Sequence, residues 1–352
     1  MEFFLFMEVI LEKINLFGLT LAELENVLAP LPKFRAKQIA AWIYQRGANS
    51  FDEMTDLSKN LRADLQEKFI IQTARLINKL DSADNLTTKF LLRFADGAAV
   101  ETVLMRHDYG NSICISSQVG CNMGCKFCAS TLNGLDRNLT VGELLAQVIF
   151  INNFLLRENK KVDSLVIMGI GEPLNNFDNL IKFLRLLHEN YTLGMSFRKI
   201  TVSTCGLVPM IKKLIAENIP LTLSISLHAP NNKLRSAIMP INSAFPVEQV
   251  IKAGDDYFQA TGRRVTYEYI LLGGVNDTDE HARQLVKILA GQNANVNLIP
   301  VNSVDERNFH APTDHAVKKF FHFLNTHGIN ATIRKEFGAE INAACGQLRN
   351  RK

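Results

Sequence analysis

The stretch Val119-Gly-Cys-Asn-Met-Gly-Cys-Lys-Phe-Cys-Ala129 carries Cys121, Cys125 and Cys128 in a C-x3-C-x2-C run. Three thiolates this close can ligate three irons of a [4Fe–4S] cluster, which ordinarily takes four cysteines. One iron then stays open for a substrate or cofactor, an arrangement for chemistry rather than electron storage. Structural zinc wants four ligands, usually two C-x2-C pairs or cysteines with histidines. The loop holds no histidine and the chain no second C-x2-C pair. Disulfides within so tight a group do not suit a chain that reads as cytosolic.

The spacing resembles that of the radical S-adenosylmethionine (SAM) enzymes, as does Phe127 before the last cysteine. The resemblance implies that the open iron binds the amino and carboxylate groups of SAM. Reduction then cleaves SAM to a 5′-deoxyadenosyl radical.

Outward from the loop, bulk properties fit such an enzyme. The 352 residues suit a barrel with an added module, and 47% hydrophobic residues can build a large core. A net charge of +4 permits a nucleic-acid partner without requiring one. The six cysteines, at 114, 121, 125, 128, 205 and 345, lack the density of a secreted disulfide scaffold. The apolar run Met1–Glu12 is interrupted by Glu2 and Glu8 and has no basic start, so neither a signal peptide nor a membrane span is expected. A cytoplasmic location follows as the expectation.

Residues 19–70 read as helical, with Leu21, Leu24 and Leu28 at helical spacing before Pro30 and Pro32. A second helix is expected from Phe34 to Arg46, and a third from Ser58 to Phe69. Lys33, Arg35, Lys37 and Arg46 here are candidates to face RNA or to form an ordinary solvated surface. Thr88–Phe94 and Ala98–Met105 flank Asp96-Gly97, a hairpin signal, and the second arm carries Glu101. Strands are then expected at Ile113–Ser117, Ser164–Met168, Lys199–Ser203, Leu221–Ser226, Val265–Leu271 and Val296–Ile299, alternating with helices. Six βα units imply an α/β fold with a parallel sheet. The resemblance selects an open (β/α)6 partial barrel over a doubly wound sheet. Expected divisions are a helical accessory domain over 1–85, a linking hairpin over 86–106, the barrel over 107–340 and a C-terminal segment over 341–352.

Ligands in such folds sit at the C-terminal ends of the strands. The cluster loop follows the first strand. Met168-Gly-Ile-Gly-Glu-Pro-Leu174 follows the second, and its Gly171 and Glu172 resemble the radical-SAM Gly-Glu element that holds the SAM amino group. Ser203 after the third strand, Ser226, Leu227 and His228 after the fourth, and Asn302 near the sixth are further candidates for SAM. Cys205 reads as structural.

Cys114, just ahead of the cluster loop, and Cys345, in Asn342-Ala-Ala-Cys-Gly-Gln-Leu348, would each pass for small buried hydrophobes by composition. Their contexts resemble one family, the RlmN/Cfr adenine methyltransferases. The matching stretches are colinear from about residue 33 to the end. They include Val100-Glu-Thr-Val103, Cys114-Ile-Ser-Ser-Gln-Val-Gly-Cys121, Arg137-Asn-Leu-Thr140, Gly171-Glu-Pro-Leu174, Ser226-Leu-His228, Met239-Pro-Ile-Asn242, Gly274-Val-Asn-Asp277, Asn297-Leu-Ile-Pro300 and Ala344-Cys-Gly-Gln-Leu348.

The resemblance implies a two-stage reaction, because carbon 2 of adenine is not nucleophilic. Cys345 takes a methyl group from one SAM. A radical from a second SAM activates that methyl, which adds to the base. Glu101 removes the proton from the adenine carbon, and Cys114 attacks the Cys345 sulfur, leaving a disulfide that must be reduced. The implied substrates are an adenosine of 23S rRNA near the peptidyl transferase centre and the adenosine 3′ of the anticodon in some tRNAs. Implied partners are an electron donor and a thiol reductant such as flavodoxin or thioredoxin-type systems. Pro173 after Gly-Glu, and Cys128-Ala-Ser-Thr131, resemble the carbon-2 branch; the alternative is a Cfr-like enzyme acting on carbon 8. The pairs Arg263-Arg264, Lys212-Lys213 and Arg334-Lys335, with Arg349, Arg351 and Lys352, are candidates for phosphate contacts.

Overall fold

In the computed structural model, which describes residues 13–349, the chain begins with a small helical unit. It comprises β1 (Ile14–Asn15), α1 (Leu21–Val27), α2 (Lys33–Tyr44), α3 (Lys59–Lys68) and β2 (Phe69–Ile70), with β1 and β2 parallel. Thr20 and Glu23 form a capping box that starts α1, and the Ser58 side chain caps α3. Ile39 and Ile43 on α2 are buried against the rest of the molecule, as their spacing predicts. The apolar run Met1–Glu12 and the terminal Arg351 and Lys352 lie outside the described residues.

The remaining strands are β3 (Arg75–Asp81), β4 (Thr87–Arg93), β5 (Ala99–His107), β6 (Gly110–Cys114), β7 (Gln118–Gly120), β8 (Leu135–Asn138), β9 (Ser164–Ile167), β10 (Ile200–Thr204), β11 (Thr222–Ser226), β12 (Val265–Leu271), β13 (Ala294–Pro300) and β14 (Asn330–Ile333). Interleaved with β8 to β14 are α4 (Val141–Leu156), α5 (Phe177–His188), α6 (Val208–Ala216), α7 (Asn232–Ile238), α8 (Val247–Thr261), α9 (Asp279–Leu289) and α10 (Asp314–Thr326). One ten-stranded sheet runs β14-β13-β12-β11-β10-β9-β6-β5-β4-β3.

Its order decides between the two parallel architectures. From β6 to β14 each strand pairs in parallel with the next one along this sheet. No strand reverses direction of growth, so right-handed crossovers leave the helices on one face. A sheet covered on one face only curls, and here β14 and β3 remain unpaired edges. The result is an open partial barrel, extended beyond β6 by the antiparallel strands β3 to β5.

The observed β6 is displaced from the expected 113–117. Ile115 N–H still donates to Val166 O at 3.0 Å, but beyond it the backbone leaves the ladder: Ser116 N–H donates to Gln147 Oε1 at 2.9 Å and Ser117 N–H to Ile170 O at 2.8 Å. Arg137 joins the hairpin turn to the start of α4, donating to Asp96 and Glu143 at 2.8 and 2.7 Å. Among the described residues no helix is long and apolar enough to cross a membrane.

Candidate active site

The cluster loop is clamped at both ends. Cys121 N–H donates to Gly134 O at 2.8 Å, Lys126 N–H to Ile238 O at 2.9 Å, and Arg307 to Cys128 O at 3.1 Å. Cys121, Cys125 and Cys128 line one cavity of about 150 Å³. Gly171, Glu172, Ser203, Ser226 and His228 line it too, so the ends of three successive strands, β9, β10 and β11, and the loop converge on one space. Among the described residues no three His, Cys, Asp or Glu side chains converge on a point that would hold a single metal ion. A cluster bonds each sulfur through a different iron, so it needs a shared cavity rather than a common point. Burial pushes the Cys121 thiol up to about 12, aided by Cys128, and raises Cys125 and Cys128 as well. Free thiolates are therefore disfavoured there, while coordination deprotonates a thiol outright. The donor set fits a cluster held by Cys121, Cys125 and Cys128.

Gly171 has φ +107°, and a Cβ there would meet Gln118 and the Ser117 hydroxyl at 2.6–2.7 Å. Only glycine lets the loop lie this close to the cluster-loop base. Glu172 is buried, and its oxygens accept from Cys205 N–H at 2.7 Å and Leu174 N–H at 3.0 Å. Burial raises its pKa against these hydrogen bonds. A carboxylate with lone pairs to spare at a cavity wall suits an ammonium group.

His228 adopts φ +58°, and its Nδ1 accepts from Ile270 N–H at 3.0 Å. Burial lowers its pKa to about 3, so the ring is neutral with the proton on Nε2. Phe127 packs edge-on to it at 4.9 Å. Leu227 is different: its side chain is fully buried, its N–H donates to Glu268 O, and its carbonyl accepts from Arg235. It does not line the cavity.

A second, smaller cavity of about 70 Å³ holds Cys114, Asn302 and Cys345. Cys345, Met168, Ile299 and Arg334 line both cavities, so the two adjoin. All the cysteines are free thiols. Burial pushes Cys114 up to about 12, and Cys345 adds to the rise. Asn302 donates to Cys345 O at 3.1 Å, while its buried Oδ1 has no partner. An orphaned buried acceptor calls for a donor, which SAM carries in its ammonium, hydroxyl and amine groups.

The segment bearing Cys345 is bonded to the cluster loop: Ala129 N–H donates to Gly346 O at 2.7 Å and Ser130 Oγ to Leu348 O at 2.7 Å. It is also bonded to β4 and β5. Lys89 donates to Asn342 O, and Arg349 N–H donates to Glu101 Oε2 at 2.7 Å. Glu101 pairs with Lys89 at 3.0 Å, both side chains being buried. Glu101 shares a strand face with Val103 and Met105, which line the Cys114 cavity, but lines neither cavity itself.

A model of the ribosomal RNA large subunit methyltransferase N-terminal domain matches residues 14–71, and a radical SAM superfamily model matches residues 115–286. A protein of Desulforamulus reducens named as a probable dual-specificity RNA methyltransferase RlmN is 49% identical over 341 residues, covering 96% of this chain and 97% of its own. One of the same name from Staphylococcus aureus is 48% identical, covering 96% and 93%. The chain belongs to the RlmN family of radical SAM methyltransferases. The crystal structure of a radical SAM methyltransferase from Sphaerobacter thermophilus superposes with a TM-score of 0.93 at 42% identity, covering 96% of this chain and all of that one. The family carries a [4Fe–4S] cluster and SAM, matching the donor set above.

Set within the RlmN family fold, several side chains gain roles that sequence reasoning missed. Glu268 on β12 is buried at the first cavity, bonded by Ser224 Oγ at 2.5 Å and Asn297 Nδ2 at 2.8 Å. Its signal was a lone carboxylate in an apolar strand. Arg334, a candidate for phosphate contact, turns inward: it lies 3.8 Å from Glu268, and Cys345, Glu268 and Cys114 around it push its pKa up. Arg235 is fully buried and donates to the carbonyls of Cys205, Ser226, Leu227 and Phe245 and to Asn242. It thereby ties together the loops after β10 and β11 and the Met239-Pro-Ile-Asn242 stretch. Arg264 sits at the opposite, N-terminal end of β12, bonded to Asn293 and Asn295, away from the site. Arg349 pairs with Asp305 and Glu306 rather than standing free.

Proposed function

We propose that the protein methylates carbon 2 of an adenosine in RNA, acting on 23S rRNA near the peptidyl transferase centre and on the adenosine 3′ of the anticodon in some tRNAs. The observation that carries this reading is the position of Cys345. It lines both the three-cysteine cavity and the cavity of Cys114, so one sulfur can receive a methyl group in one and meet a thiol in the other.

The roles follow residue by residue. Cys121, Cys125 and Cys128 hold the cluster; Gly171, Glu172, Ser203, Ser226, His228 and Asn302 hold SAM. Bound there, cluster and SAM supply the methyl group and, from a second SAM, a 5′-deoxyadenosyl radical, so two SAM are used per turnover. Cys345 accepts the methyl and later bridges through that carbon to the base. Glu101 removes the proton from adenine carbon 2. Its carboxylate now holds Arg349 N–H, so the C-terminal segment must shift before it can reach a base. Cys114 then attacks the Cys345 sulfur; the sulfur–carbon bond to the base breaks, that carbon takes a proton to become the methyl group, and the two cysteines are left as a disulfide. The high pKa of Cys114 keeps it a thiol until the cavity opens. A flavodoxin-type electron donor and a thioredoxin-type reductant of the cytoplasm would reset the site.

The test is nucleoside mass spectrometry on 23S rRNA lacking the modification, treated anaerobically with cluster-loaded enzyme, SAM and reductant. The expected product is 2-methyladenosine, absent with Cys345→Ala. Finding 8-methyladenosine would move the reaction to the other carbon. No methylated adenosine from an enzyme that cleaves SAM would overturn the substrate reading.

A further inference from the structure

A third cavity, of about 460 Å³, opens beside that of Cys114 and Cys345. The two share Met105, Arg334, Lys335 and Phe337, so a chain threaded through one reaches the other. Its rim is aromatic and basic. Tyr109 is 81% exposed, an unusual state for so large a ring, at the tip of the β5–β6 turn. His107 stacks on it at 4.6 Å with the planes 10° apart, and Phe337 meets His107 edge-on at 4.8 Å. Lys335 lies over the Phe337 ring at 5.2 Å.

The turn is anchored to Asp163. Asp163 accepts from Asn111 N–H at 2.8 Å, and a Cβ on Gly110, at φ +135°, would strike the same carboxylate at 2.6 Å. The stacked pair is thus presented by a fixed scaffold and loses little freedom on binding. His107 is further disposed to neutrality by burial and by Lys335, so its ring offers a flat, uncharged face.

We infer that His107 and Tyr109, with Lys335, form a landing surface on which a nucleotide beside the target adenosine stacks. Unpaired bases are recognised by stacking on aromatic rings, with nearby cations taking the phosphates. Extruding a base from folded RNA breaks its own stacking, and a platform next to the reaction cavity replaces part of what is lost. This inference rests on the RNA methyltransferase reading above and assigns that RNA a place on the surface.

The experiment uses the cluster-loaded full chain with an RNA stem-loop carrying the target adenosine and 2-aminopurine at each flanking loop position in turn. Wild-type enzyme should quench 2-aminopurine fluorescence at one flanking position. Tyr109→Ala should abolish that quench and raise KM for the stem-loop about tenfold, with an unchanged unfolding midpoint, whereas Tyr109→Trp should retain both. Lys335→Gln should lower the slope of log affinity against log salt by roughly one contact. Methylation by wild type with quench and KM unaltered in Tyr109→Ala would overturn the inference alone. Absence of RNA methylation by wild type would overturn the underlying reading, and the inference with it.

Discussion

Replacing Lys89 with methionine tests how the C-terminal segment is held over the Cys114 cavity. Lys89 and Glu101 are 3.0 Å apart with side chains 7% and 3% exposed, so water screens neither. At an effective dielectric constant near 20, Coulomb's law gives about 5 kcal/mol at that distance. Much of it offsets desolvation, but removing one partner strands the other, at a cost of about 3–5 kcal/mol. Lys89→Met also deprives Asn342 O of its donor. The expected loss is therefore about 3–5 kcal/mol in urea unfolding of cluster-loaded protein, or roughly 4–7 °C in Tm for a chain of 352 residues. Glu101→Gln alone should also destabilise, since Lys89 is then left buried without a counter-charge. The double variant Lys89→Met/Glu101→Gln should lose less than the sum of the two, with a coupling on the order of 2–3 kcal/mol. Strict additivity, or a loss under about 1 kcal/mol for Lys89→Met, would refute the argument that this pair is a desolvated anchor.

Three further outcomes follow from the same geometry. His228 has its pKa depressed from 6.5 to about 3 by burial, so the unfolded chain takes up a proton that the folded one refuses. Its contribution is present above pH 6.5 and is lost as pH falls toward 3, about 2 kcal/mol by pH 5; His228→Asn, which tolerates the same backbone angle, should flatten the acid limb of a urea-midpoint profile, and an unchanged limb would contradict it. Arg235→Lys keeps the charge but cannot reproduce a fork to five acceptors, so a loss of about 3 kcal/mol in unfolding free energy is expected, and a loss below about 1 would show the hub to be dispensable. Iodoacetamide at pH 8 should label half-buried Cys345 well before Cys114, whose thiol is pushed to about 12; peptide mass spectrometry showing equal rates would contradict the closed cavity.

The barrel was legible because its helices bury one face and its inner strands are apolar runs. The strand expected at 265–271 coincides with β12. Strands that obey no such pattern were missed. All residues of β3 are exposed, and β14 buries only Ala331, so neither shows an alternation to read. They sit at the two edges of the sheet, where one side of each strand has no partner. The direction of Arg334 was hidden for a related reason. Sequence gives charge but not direction, and Arg334 points toward two thiols and a carboxylate whose positions only the fold determines.

The same limit explains why the cysteine loop was readable and its supports were not. A C-x3-C-x2-C run encodes its chemistry in local spacing, whereas Glu268, Arg235 and Lys89 act across 29, 30 and 253 positions to reach Asn297, Cys205 and Asn342. Each is a polar group buried in an apolar interior, which is tolerable only when its partners are in place. Those partners lie on β13, on the loop after β10 and on the C-terminal segment. The barrel therefore fixes where the thiols stand, and the buried polar groups fix the loops that carry them. Movement is concentrated by this division. The segment with Cys345 is attached through Lys89, Ala129, Ser130, Asn302, the Gln347 bond to Ser303 O, and the Arg349 contacts to Glu101, Asp305 and Glu306, rather than through a sheet of its own. Releasing those contacts would part Arg349 N–H from Glu101, while the loops after β10 and β11 stay braced by Arg235.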